Sequence, residues 1–411
     1  MKRSLLLLLV LLNGCGRPGA PEPTQAPPKL VPCQTWLEEL AASGPAPPGE
    51  ERRAELQDLM LTGFATDLGA RLSERALQRL LQEKEAYWIL EEGLLHDDAA
   101  VREQAAVELG RLGHRASILP LLARLKYELD PDAKIEVATA LARLGNDAGL
   151  PDLLQLMNAG PTAEHAGLNA IELCDLASVE LSEEPSYQDL GKELQTLSDR
   201  WVETGISSFL PEEAPDPEVQ ARVAAHLMVL GGAPLRPVDD ARFALSRSGQ
   251  MALPLLRRTV LASELYLRSH SLEIIRTLGK AARSLGPTIM PLLSDPLSRG
   301  EAARTLGALG ITEAAPRVIA MLSEPDPEIR TAAAASLGPL GARESIPALR
   351  ERMLDEQESM DVRVMAAFSL ALFELDRPAR DFLLERKRQQ DYHGPTLDEL
   401  LDRVTPNNRT R

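Results

Sequence analysis

Aromatic residues are scarce in this 411-residue chain, at 3%, and they are nowhere interleaved with basic residues in the way that binds single-stranded nucleic acid. Positive charge is also in deficit. Lysine and arginine number 45 against 61 acids, for a net charge of −16, and an acidic chain lacks the concentrated basic face that phosphate contact needs. No segment alternates in the manner of a strand. The six histidines (His96, His114, His165, His226, His270, His393) form no His-x-His or His-Glu-x-x-His motif and have no cysteine pair nearby, so the local metal motifs are absent. His96 and His114 lie about one hairpin apart, and isolated surface histidines are the simpler reading of both. Gly307 and Gly310 sit in a Leu-Gly-Ala-Leu-Gly helix end without the lysine and hydroxyl of a phosphate loop, and no Gly-x-Ser-x-Gly elbow occurs. These absences lead to the expectation of no enzyme, no metal and no cofactor.

What the chain does have is a register. An acid, a base four residues later and a glycine eleven after that recur as Asp98/Arg102/Gly113, Asp130/Lys134/Gly145, Asp216/Gln220/Gly231, Glu264/Arg268/Gly279, Asp295/Arg299/Gly310, Asp326/Arg330/Gly341 and Ser359/Arg363/Glu374. The acid suits a helix N-cap, where its carboxylate accepts from orphan amides at the positive end of the dipole. Pro131, Pro217, Pro296 and Pro327 follow at once, and proline's fixed φ fits the first helical position. The base lies one turn on, within reach of its own acid or of the next hairpin's. Small residues such as Ala332, Ala333, Ala335 and Ser336 let neighbouring helices approach, and the glycine ends the helix in a left-handed conformation. A second helix starts about six residues later, often near a proline (Pro120, Pro151, Pro254, Pro291, Pro316, Pro347). Two helices per period of about thirty residues predict an all-α chain built as an α-solenoid, with irregular helices before it.

The stretches 326–349 and 98–122 resemble HEAT repeats of the short type found in phycobilisome-lyase-like proteins. That resemblance implies scaffolding and recognition and carries over no catalytic residue. Polar residues on the second helices are the expected contacts of a concave face: Arg124, Asp152, Gln155, Arg257, Arg258, Arg317, Arg350 and Glu351. The alternative is that they only solubilise the surface.

Lys2 and Arg3 precede the apolar run 5–12, which is too short to span a bilayer and reads as a signal peptide over 1–14. Its end, Leu12-Asn13-Gly14-Cys15, resembles the lipobox of bacterial lipoproteins, which implies lipidation at Cys15. The alternative is ordinary secretion with an incidental cysteine. With Gly16 rather than aspartate next, the resemblance favours a periplasm-facing place at the outer membrane.

Residues 15–50 read as a proline-rich tether, and helices at 34–42, 50–62 and 72–94 as a cap on the first end of the array. N-terminal helices and repeats then fill 51–158. An acidic helical segment spans 159–215, either degenerate repeats or an insertion. Repeats resume over 216–388, and 389–411 forms a capping helix and polar tail. A weaker unit ends at Gly249, only 18 residues after Gly231, without a clean register.

Acids concentrate in 151–220, fifteen against two bases, whereas 251–300 holds seven bases and three acids. The acidic block is either a solvated helix surface or a patch that steers a basic partner. Exported thiols tend to pair, so Cys33 and Cys174 are candidates for a disulfide; the alternative is two separate thiols, Cys174 packed as a small apolar side chain. The expected function is a lipid-anchored scaffold binding a protein partner at the bacterial envelope, touching the membrane through its lipid and touching no nucleic acid. A phycobilin-lyase-like role and a purely structural envelope spacer are the alternatives.

Overall fold

A computed structural model describes residues 28–65, 70–158, 160–182, 184–210, 216–231, 235–373, 377–389, 392 and 397–404. The signal segment, Cys15, His393 and Glu374 lie outside the described residues. The fold is all-α, an α-solenoid of helical hairpins. Its described residues contain no strand, only an isolated parallel bridge between Val31 and Ala262.

The hairpins follow from their caps. Asp98 opens α5 (Ala99–Leu112) by accepting from Ala100 N, Asp130 opens α7 (Pro131–Arg143) by accepting from Asp132 N and Ala133 N, and Asp326 opens α18 (Pro327–Leu340) by accepting from Glu328 N. The second helices of the first stretch are α6 (Ile118–Tyr127) and α8 (Leu150–Met157). The acidic segment continues that stack as one more hairpin, α9 (Ala163–Leu176) and α10 (Tyr187–Thr204): α9 packs on α7, and α10 on α8.

In the second stretch the first helices are α12 (Leu235–Ser246), α14 (Leu265–Leu278), α16 (Arg299–Leu309), α18 and α20 (Met360–Leu372), each packed on the next. Their partners are α13 (Leu253–Thr259), a largely 3-10 stretch from Gly279 to Ser294 around α15 (Gly286–Ile289), then α17 (Ala315–Met321), α19 (Ile346–Leu354) and α21 (Arg377–Gln389). The helix α22 (Leu397–Val404) packs on α20 and α21. Small residues permit the stacking. A Cβ at Gly338 would lie 2.7 Å from Ser369 Cα, and Ser369 Oγ accepts from Gly338 N at 3.0 Å.

Four expectations are corrected. Gly231 is not left-handed, whereas Gly249 is, at φ +60°. Gly249, Gly279, Gly310 and Gly341 fall 30, 31 and 31 residues apart, so the repeat without a register belongs to Gly249 and α12, with Val238 in its base slot. Asp216 does cap α11 (Pro217–Val229), but that helix stands outside the row and pairs with α1 (Gln34–Ala42). Asp295 caps nothing: α16 begins after Ser298, because the turn through Pro296 and Leu297 sends the Asp295 carboxylate to Arg268.

Helix α1 is the fourth. It does not cap the first end, which is left to α2 (Glu50–Phe64), α3 (Ala70–Leu81) and α4 (Ala86–Gly93). Instead the supposed tether is docked from residue 28 onto the middle of the chain. Val31 N donates to Leu261 O at 2.9 Å and Val31 O accepts from Ser263 N at 2.8 Å. Glu264, expected to cap its own helix, makes no side-chain bond there; its carboxylate accepts from Cys33 N at 3.0 Å and Gln34 N at 3.1 Å, at the start of α1. Those amides would otherwise be orphaned; burial alone would raise the Glu264 carboxyl, but its own backbone amide together with those of Gln34 and Cys33 holds it below its ordinary range.

Candidate interaction surface

The base slot turns out to be a clasp between consecutive repeats. Arg102 donates in a fork to Glu128 at 2.8 and 2.9 Å and also to the carbonyls of His96 and Asp97. Glu128 in turn accepts from Leu129 N and Asp130 N, both at 3.0 Å. Arg330 repeats the arrangement on Glu358, at 2.8 and 2.7 Å, with the carbonyls of Glu324 and Pro325. Arg299 reaches Glu324 at 3.1 Å, and Arg268 reaches Asp295 at 3.5 Å. Each base thus binds an acid at the start of the next repeat rather than its own cap. The receiving Glu128 and Glu358 were missed by the sequence reasoning, although an acid one or two residues before the next cap was the available cue. The Arg330 fork holds the Glu358 carboxyl below its ordinary range. Two slots depart: Lys134 pairs with Asp152 at 3.0 Å, and Arg363 donates to Met353 O at 3.1 Å.

The eight expected contact residues divide on the same principle. Arg124 packs against Glu128 at 3.1 Å, and burial pushes its pKa down. Asp152 holds Lys134 and faces Arg247 at 3.9 Å. Arg317 donates to Met290 O at 2.9 Å and Ser294 Oγ at 2.7 Å, and the Arg258 guanidinium lies 4.0 Å from the centre of the Trp36 ring. These four are engaged in holding the fold. Gln155, Arg257, Arg350 and Glu351 are exposed. At the turns of the second stretch an open groove of about 580 Å³ is lined by Arg283, Ser284, Pro287, Met290, Pro291, Ile311 and Glu313.

The two stretches are joined by contacts that no local pattern announces. Helix α12 packs on α6, Lys126 Nζ meets Asp240 at 2.8 Å, and Asn146 Nδ2 donates to Arg247 O at 3.0 Å. The fully buried Asp147 accepts from Ser207 Oγ at 2.8 Å and Ser208 N at 3.0 Å; burial raises its pKa. Beside them His114 stacks on Tyr87 with ring centroids 3.8 Å apart, and its ring nitrogens lie 3.3 Å from Ser117 Oγ and from Glu218. Arg222 binds Glu91 at 2.9 Å and Glu218 at 3.2 Å, with its guanidinium 4.9 Å from the centre of the Trp88 ring. A serine, a histidine and an acid in this order evoke a hydrolytic triad. Here, however, Ser117 is fully buried and donates to Glu91 at 2.6 Å, so its oxygen meets no substrate. The cluster fastens α11 to the first hairpin.

His165 bridges Asp132 and Glu136, each at 2.8 Å. Burial alone would lower its pKa, but the two carboxylates outweigh it and the net shift is upward. Protonated His165 therefore stabilises the fold fully below its unfolded pKa of about 6.5, and that contribution disappears as pH rises through the higher folded value. His165→Gln is expected to cost roughly 0.5–1 kcal/mol more at about pH 6 than at about pH 9, since the pair is partly exposed. Urea titrations at the two pH values check this, and a cost independent of pH would refute it.

The candidate disulfide does not form: Cys33 and Cys174 are both free and fully buried. Cys33 Sγ lies near the carbonyls of Val31 and Arg258, at 3.6 and 3.8 Å, whereas Cys174 is enclosed within α9, where burial pushes its pKa up to about 11. Each is walled in by different helices. Among the described residues no group of three or more metal-binding side chains gathers, and no helix is long and apolar enough to cross a membrane.

Residues 88–170 and 286–371 match the family of HEAT repeats. These two stretches of the chain are HEAT repeats. The matched stretches cover the clasps of Arg102 and Arg330, and between them lie α10 to α14, with the register broken before α14. No similar sequence is found among the curated proteins. Among solved structures it is similar to human deoxyhypusine hydroxylase in complex with glycerol, at 20% identity over 79% of this chain and 97% of that one, with a TM-score of 0.26. It is also similar to Kap121p bound to Pho4p, at 16% identity over 87% of this chain and 45% of that one, with a TM-score of 0.32. The chain thus spans less than half the length of that karyopherin. An engineered protein is similar at 15% identity over 90% of this chain and 97% of that one, with a TM-score of 0.27.

Proposed function

We propose that this HEAT-repeat protein is a lipid-anchored, non-catalytic scaffold that holds a protein partner in the periplasm, at the outer membrane of a bacterium. One observation carries the reading. The charged slots that recur in every clear repeat are spent on caps and clasps, so the surface is distinguished by exposed, non-repeating side chains such as Gln155, Arg257, Arg350 and Glu351. Extended surfaces of this kind bind by complementarity over a wide area rather than through a pocket. The anchor rests on the lipobox-like run ending at Cys15.

Cross-linking in intact membranes followed by affinity capture tests the scaffold. One stoichiometric protein is expected, and its recovery should fall when Arg257 and Arg350 are both changed to glutamate. A copurifying tetrapyrrole that absorbs visible light would overturn the reading in favour of lyase-like chemistry. Cys15→Ala is expected to move the chain from the membrane to the soluble fraction; persistence in membranes would refute the anchor.

A further inference from the structure

Large apolar side chains stand exposed at, or at the helix ends beside, the loops that join one repeat to the next. Leu95 and Leu129 flank the Arg102 clasp at 76% and 92% exposure, and Tyr266 and Leu297 flank the Arg268 clasp at 73% and 71%. Leu354 stands at 63% just before the Glu358 clasp. Single exposed leucines are ordinary. The offsets of these residues from the helix starts differ, but each lies near an arginine that ties adjacent loops, on the inter-repeat edge of its stretch.

The chain enters the described structure at that edge. Val31 is bonded to Leu261 and Ser263, and Glu264 holds the amides of Cys33 and Gln34. Arg268 joins this loop to the next by donating to the carbonyls of Ala262 and Ser263 and to Ser298 and Asp295. Only residues 16–27 separate Cys15 from Pro28. Fully extended, that stretch spans roughly 45 Å, so an anchor at Cys15 limits this edge to about that distance from the lipid and leaves it free to reach the surface. Charge agrees. Residues 251–300 hold seven bases and three acids in an otherwise acidic protein; Arg268, Arg276, Lys280 and Arg299 are paired with carboxylates, just as Glu264 and Asp295 are occupied internally, so the local positive excess rests on the other three bases. Lys29 is exposed nearby, and so is Arg258 even as it lies over the Trp36 ring.

We propose that the inter-repeat loop edge around Tyr266 and Leu297 rests on the bilayer, its apolar side chains entering the headgroup layer and its basic residues facing anionic lipid. Tyrosine suits that boundary because its ring is apolar and its hydroxyl stays wet. The edge of the glycine turns, with the groove near Ile311, then faces away from the membrane towards a partner. This orientation deepens the anchored-scaffold reading and rests on it.

The test uses the full chain carrying Cys15→Ala, with vesicles of phosphatidylethanolamine and phosphatidylglycerol. Flotation should detect weak partition that falls about tenfold when Tyr266→Ser and Leu297→Ser are combined. The control pair Leu168→Ser and Val202→Ser, 63% and 65% exposed on α9 and α10, should leave it unchanged. Unchanged circular dichroism would show that all four substitutions leave the fold intact. Absence of partition, or equal loss in both pairs, would overturn the proposal. The anchor is judged separately, by whether Cys15→Ala leaves the membrane fraction in cells, so either idea can fail alone.

Discussion

Changing Arg268 to methionine is expected to cost about 3–5 kcal/mol, the largest loss from any single clasp. Among the described residues Arg268 is the largest fully buried side chain, at 1% exposure. Its guanidinium serves Ser298 Oγ at 2.7 Å, the carbonyls of Ala262 and Ser263, and the Asp295 carboxylate at 3.5 Å. Methionine fills much of the volume but leaves a poorly exposed carboxylate and a buried carbonyl without a donor. The damage also spreads, because the loop that Arg268 holds is the one on which Val31 and Cys33 dock. Urea denaturation gives the magnitude, and hydrogen exchange should show protection lost in 28–44 together with 260–300. Adding Asp295→Asn should restore part of the stability by removing the unpaired charge. A cost below about 1 kcal/mol would mean that water replaces the clasp, contradicting its burial.

The second expectation compares two glycines. Gly249→Ala should cost about 3 kcal/mol. Its φ of +60° strains any side chain, and a Cβ would lie 2.3 and 2.7 Å from carbons of the Trp201 ring on α10. Trp201 cannot retreat easily, since α10 is held against α8 and the 279–285 turn. Gly231→Ala should stay within about 0.5 kcal/mol: its φ is ordinary, and the nearest atom to a new Cβ is the flexible end of Gln34, at 3.0 Å. Thermal unfolding of both variants decides the repeat register. If Gly231 were the costlier site, assigning Gly249 as the anchor would be wrong.

These two sites mark the limits of what could be read from the chain. The caps at Asp98, Asp130 and Asp326 were legible because a capping carboxylate binds amides two or three residues away. The positive-φ turns at Gly113, Gly145, Gly279, Gly310 and Gly341 were legible for the same local reason. Gly231 sat in register behind a true cap at Asp216 and still misled, because α11 leaves the row to pair with α1. Gly249 was obscured because its repeat lacks the base, with Val238 in that slot.

The candidate surface was less legible than the fold. The clasps lie 25 to 28 residues from arginine to acid, near one repeat length, so their existence could be foreseen while the choice of acid could not. Of the eight proposed contacts, Asp152, Arg258 and Arg317 are engaged by neighbours arriving from other elements, and Arg124 by Glu128 one turn further along, at the end of its own helix. A polar residue on a second helix looks the same in sequence whether or not a partner reaches it.

The sequence by itself determined the helical hairpin, its period and its ends, because those depend on hydrogen bonds and steric limits within a few residues. Tertiary structure alone decided that residues 31–37 dock more than 220 positions away on 258–264, that α12 returns onto α6, and that His114 joins Glu218. Such contacts depend on how large surfaces meet after the hairpins stack, and the sum of many weak packing terms leaves no periodic mark on the chain.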